Sequence, residues 1–143
     1  MAAIWRLVMS DSSPSDIATV LTDQAPTPAG HYVQATACGG MVFVSGQLPV
    51  RPDGAHAPEA SFQDQAWQAL DNLLAVVRAS GSSPERLLKV TAYIVGVENW
   101  PQFNSVYAEA LGDIKPARAV VPVPELHYGY LVEIDAVAAV DPK

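Results

Sequence analysis

Five apolar residues, Ala66, Leu70, Leu73, Leu74 and Val77, recur at helical spacing between Ser61 and Gly81, with strand-like segments on both sides. A helix of this kind must bury its apolar stripe, and the flanking strands are the available surface. Ser61 followed by Asp64 resembles a capping box, in which the serine side chain accepts from an unpaired N–H of the first turn. Gly81 stands where a left-handed C′ residue closes a helix.

Upstream, the chain reads as a strand from Tyr32, a tight turn at Gly39-Gly40 and a second strand over Met41 to Ser45, together a hairpin. Pro49, Pro52-Asp53-Gly54 and Pro58 then mark a loop. Downstream, Leu88 to Val97 is β-branched and apolar. Trp100 to Leu111 returns to helical spacing through Phe103, Val106, Tyr107 and Ala110, and Gly112 ends it. Ala117 to Val123 and Leu131 to Val140 are a last pair of strands, joined by a loop containing Pro124, His127 and Gly129. The order β-β-α-β-α-β-β predicts an α+β fold, with two helices on one face of a mixed sheet.

Residues 1–16 read as an N-terminal extension to a domain over 17–143. Ile4, Arg6 and Val8 alternate with Trp5, Leu7 and Met9 as in a short strand, and Ser10 to Ser15 form a breaker-rich linker. Arg6 and Asp11 leave the apolar run too short for a signal segment, and no stretch reaches the ~20 apolar residues that cross a bilayer. Cys38 is the only cysteine, so no internal disulfide forms and a reducing cytoplasm is the expected setting. Half of the 143 residues are apolar and only 16% are charged, so burial of apolar surface between subunits is expected. A net charge of −7, with eight scattered Lys and Arg, argues against nucleic acid as a partner.

The chain lacks a Gly-rich phosphate loop, a cysteine pair and a G-x-S-x-G elbow, and His31, His56 and His127 are too dispersed for a standard metal spacing. No metal or cofactor is expected. What remains is polar residues inside apolar strands. Arg118 opens Ala-Val-Val-Pro-Val, while Glu133 and Asp135 lie two apart and share a face. If the last two strands pair as a hairpin, that face comes near Arg118. The residues alone leave two readings open: a partly exposed ion pair on the outer face of the sheet, or an anion site in which the planar fork of Arg118 meets a carboxylate.

An ordered set of fragments resembles the RidA/YjgF family over roughly Ile17 to Val140. They are Tyr32-Val-Gln34, Val44-Ser-Gly-Gln47, Leu70-Asp-Asn-Leu73, Phe103-Asn-Ser-Val-Tyr107, Pro116-Ala-Arg118 and Val132-Glu-Ile-Asp-Ala136. The resemblance implies a fold like that of the small chorismate mutases, assembled as a homotrimer whose sheets enclose a central barrel with three clefts between subunits. It implies cofactor-independent hydrolysis of 2-imino acids such as 2-iminopropanoate or 2-iminobutanoate to the 2-keto acid and ammonia.

Carried over by residue, the resemblance makes Arg118 and Glu133 the catalytic pair: Arg118 binds the substrate carboxylate, and Glu133 positions or activates the attacking water. Tyr32, Ser45, Gly46 and Asn104 match pocket-lining positions, Gly46 offering backbone to the ligand. Many members carry a cysteine two residues after the arginine. Here Val120 stands there, with only its backbone N–H to help hold the carboxylate. Gly30-His31-Tyr32 replaces the usual Gly-Pro-Tyr, and Glu125 to Tyr130 replaces an Arg/Pro/Lys-rich loop, departures that bear on substrate range. A different class of function, a trimeric module that senses a small keto or carboxylic acid without turnover, uses the same cleft. Glu133 favours the enzyme, because a carboxylate receptor gains nothing from a negative charge beside its ligand. The nuclease activity ascribed to some relatives is disfavoured by the charge of −7.

Overall fold

The computed structural model describes residues 16–141, so the expected strand and linker before them lie outside the described residues. Strands β1 (Ala18–Val20), β2 (Ala35–Cys38) and β3 (Met41–Gln47) are followed by helix α1 (Phe62–Ala79), β4 (Leu87–Val95), helix α2 (Trp100–Leu111), β5 (Ala117–Val123) and β6 (Val132–Ala139). The α+β order holds, with β1 added in front; its three residues are too few to show a period. Helix α1 begins and ends on the expected residues. Ser61 accepts from the Asp64 N–H at 3.1 Å, and Gly81 takes φ 81° beyond the last turn.

The six strands form one sheet in the order β1-β2-β3-β6-β4-β5. Among the described residues only β4 and β5 run parallel, and every other pair is antiparallel. One expectation is corrected here. The last two strands do not form a hairpin: β6 crosses to the centre, between β3 and β4, and leaves β5 at the edge. The reason lies in burial. Val132, Ile134, Ala136 and Ala138 are all fully or nearly fully buried, whereas β5 has no fully buried residue. The strand with one unbroken apolar face, free of the charge and the proline that β5 carries, takes the position with two neighbours and a helix above it.

Both helices cover one face of the sheet. Leu70, Leu73, Val77 and Phe103 pack there on Val42, Val90, Ile94 and Ile134. Among the described residues the opposite face carries Phe43, Thr91, Tyr93, Glu133, Asp135 and Val137 and has no helix over it. Phe43 and Met41 remain 45% and 40% exposed. The long loop after β3 is fastened to α1 by two buried amides. Asn72 donates to the carbonyls of Leu48 and Val50 at 3.0 and 2.8 Å, and Gln65 donates to those of Pro58 and Ala60. Polar groups on a core helix therefore satisfy a loop that has no ladder of its own.

Candidate functional site

Between Val44 and Gln47 the register of β3 against β6 slips, so that Ser45 and Gly46 together oppose Asp135. This β-bulge turns the end of β3 outward. Ser45 is thereby aimed at the preceding segment: its N–H donates to Gln34 O at 2.9 Å and its hydroxyl to Val33 O at 2.7 Å. Buried Gln34 in turn holds the 22–26 segment, donating to the carbonyls of Thr22, Ala25 and Pro26 and accepting from the Thr22 N–H. Gly46 leaves the space that the Glu133 carboxylate occupies, and a Cβ there would push that carboxylate aside. The glycine thus makes room for the acid on the opposing strand.

Glu133, Ser45, Gly46 and Tyr32 line one cleft of about 830 Å³. Burial pushes the Glu133 carboxyl above its ordinary pKa; neighbouring His127 draws it down and Asp135 pushes it further up. Asp135 is also raised by burial, against the hydrogen bond it accepts from Tyr93 at 3.2 Å. The far wall of the cleft comes from the loops: His56 and Tyr128 line it, with their ring centroids 4.6 Å apart. Tyr128 has φ 63° and ψ 12°, a left-handed conformation that costs a bulky residue roughly 1–2 kcal/mol. Behind them, the buried Tyr130 hydroxyl accepts from the Ala57 N–H and lies 2.9 Å from His56 Nδ1. Sequence reasoning did not single out His56 or Tyr128, since loop residues carry no period; the altered 125–130 segment was the available signal.

Arg118, Asn104 and Val120 lie elsewhere. Arg118 pairs with Val90 and Val120 with Ala92, both residues of the helix-covered face, so Arg118 points toward α2. Its Nη1 donates to Asn104 Oδ1 at 3.0 Å, and its guanidinium lies 4.8 Å from the Tyr107 ring centroid and 5.9 Å from that of Trp100. Glu133 pairs with Tyr93, on the uncovered face. Arg118 and Glu133 therefore stand on opposite faces of one sheet, two strands apart, and do not share a site within one chain. The ion-pair reading is corrected as well. Among the described residues the salt bridge is Arg86–Asp141, at 3.0 Å, and no carboxylate meets Arg118. Half-buried on aromatic rings, its guanidinium keeps most of its N–H donors free. Among the described residues no group of three His, Cys, Asp or Glu is placed to hold a metal ion, and no helix is long and apolar enough to cross a membrane.

Comparison with known proteins gives a consistent picture. Residues 22–140 match the family described as endoribonuclease L-PSP. A RutC family protein of Pyrococcus horikoshii is 38% identical over 119 residues, covering 83% of this chain and 94% of that protein. TdcF of Escherichia coli K12, provisionally named a reactive intermediate deaminase, is 38% identical over 120 residues, covering 82% and 92%. The crystal structure of E. coli TdcF with bound serine superposes with a TM-score of 0.82 at 35% identity, covering 87% of this chain and 99% of that one.

Proposed function

This chain belongs to the RidA/YjgF family, and on that premise we propose that it hydrolyses 2-imino acids such as 2-iminopropanoate and 2-iminobutanoate to 2-keto acids and ammonia, as a cytoplasmic homotrimer that needs no cofactor. The observation that carries this reading is the pair of half-sites. Arg118 is a half-buried guanidinium on an aromatic bed, bonded to Asn104 and facing no carboxylate among the described residues, suited to a carboxylate arriving from outside. Glu133 is a desolvated carboxyl in a cleft on the other face. Because one chain cannot bring them together, the site is complete only where β5, an edge strand, of one copy overlies the cleft of the next. The uncovered sheet face, with Phe43, Met41 and Val137, supplies apolar surface for that packing. TdcF with bound serine supports a ligand bearing an α-carboxylate.

In the assembled site Arg118, steadied by Asn104, fixes the carboxylate, while Tyr32, Ser45, Gly46 and the backbone at Val120 enclose the rest of the substrate. Water adds to C2, and Glu133 takes its proton and passes it to the nitrogen. Glu133 then carries the hydroxyl proton of the carbinolamine to its nitrogen as the C–N bond breaks, releasing ammonia and leaving the keto group. The raised pKa of Glu133 makes it a better base for this transfer than an ordinary carboxylate. Holding the imine beside the water supplies the remaining acceleration. Despite the family's description, a net charge of −7 argues against an RNA substrate.

The test couples an amino-acid oxidase to a trap for free imine and asks whether the purified protein speeds keto-acid release. Light scattering at micromolar concentration is expected to give three chains per particle. A monomer, or an unchanged rate of release, overturns the reading; pyruvate binding without turnover would indicate a sensor.

A further inference from the structure

The cleft of about 830 Å³ is open on one side in the single chain, where the neighbouring copy would cover it, and part of its wall comes from loops of this chain. There His56 is held from behind by buried Tyr130, its ring stacked on that tyrosine at 5.8 Å and 25°, with the hydroxyl on Nδ1. Tyr128 leans against His56 at 50° and is 56% exposed. A residue at φ 63° is cheapest as glycine, and Gly129, with φ 77°, follows directly. A tyrosine held in that conformation, with its ring lining a cleft, marks a position selected for the ring.

We propose that His56 and Tyr128 form a specificity wall that selects 2-imino acids with an aromatic side chain. This rests on the imine-hydrolase reading of the cleft and names its substrate class. The two rings pack against each other, and the exposed face of Tyr128 along the cleft offers a surface that a phenyl or indole group can meet edge to face. Charge narrows the choice further. Among the described residues the cleft includes no Lys or Arg to receive an acidic side chain. Of its two carboxylates, Glu133 lies at the reacting end and Asp53 stands on an exposed turn, where water screens its attraction for a cationic one.

The experiment uses the full-length protein and imines generated in place from phenylalanine, alanine and arginine, with semicarbazide competing for free imine. In parallel, calorimetry measures phenylpyruvate and pyruvate binding. The phenylalanine-derived imine is expected to have the highest kcat/KM. Its advantage over the alanine-derived imine should fall by about three- to tenfold in Tyr128→Gly and persist in Tyr128→Phe, which keeps the ring. Tyr128→Gly also removes an unfavourable backbone conformation, so a melting temperature no lower than wild type certifies the fold. Preference for the alanine- or arginine-derived imine, or an unchanged ratio in Tyr128→Gly, overturns the proposal. If no imine is hydrolysed, the hydrolase reading fails, and binding decides the wall separately: tighter phenylpyruvate than pyruvate in wild type but not in Tyr128→Gly upholds it, and equal affinities overturn it.

Discussion

Replacing Glu133 with Gln keeps the shape of the side chain over Gly46 and removes the charge that the fold desolvates. Stability and activity should then move in opposite directions. Burial raises the Glu133 carboxyl above its ordinary value of 4.5. A carboxyl whose pKa is higher in the folded chain binds more protons there than in the unfolded chain. Stability is therefore lost as pH climbs from the unfolded pKa through the folded one, and the loss persists above it. The glutamine variant has no such loss. At about pH 7.5 it should melt higher than wild type, and the two curves should converge below about pH 4.5. Because Glu133 is only half-buried, solvent screening holds the gain to about 0.5–1 kcal/mol, roughly 2–4 °C in a domain of this size. Turnover should fall about 10²- to 10⁴-fold, the usual loss when a proton-transfer group is removed. Scanning calorimetry across this pH range, run beside the imine assay, reads both quantities. A melting temperature equal to or below wild type at the higher pH refutes the desolvation argument, and unchanged turnover refutes the role assigned to Glu133.

Arg118→Ala should weaken 2-oxobutanoate binding about ten- to hundredfold by calorimetry, since a charge-assisted contact contributes on the order of 1.5–3 kcal/mol; unchanged affinity would remove Arg118 from the site. Gly46→Ala pushes the Glu133 carboxylate aside, so turnover should drop sharply for a stability cost of about 1 kcal/mol or less, measured by denaturant unfolding. Asn72→Ala strands the partly buried carbonyls of Leu48 and Val50 and should cost about 1–2 kcal/mol, with the loop lining the cleft loosened and KM raised. The wild-type rate should rise with pH through the elevated Glu133 pKa and then level, a limb that Glu133→Gln abolishes.

The sequence by itself determined the order of the elements after β1, the limits of α1 at Ser61 and Gly81, the extent of α2 and β5, and the shared face of Glu133 and Asp135. Each is written within one or two turns of chain: a cap, a C′ glycine, a period of 3.6 or of 2. The ordered motifs also identified the family, because order and spacing survive where single residues vary. Tertiary structure alone decided which strands meet. β6 enters between β3 and β4, which sends β5 to the edge and puts Arg118 and Glu133 on opposite faces. The bulge at Ser45–Gly46 and the meeting of His56 with Tyr128 and Tyr130 were likewise settled by distant partners. Alternation along a strand shows that it has two faces. The choice of neighbour, and of the face that turns to the core, follows from apolar burial and hydrogen-bond pairing summed over segments far apart in the chain.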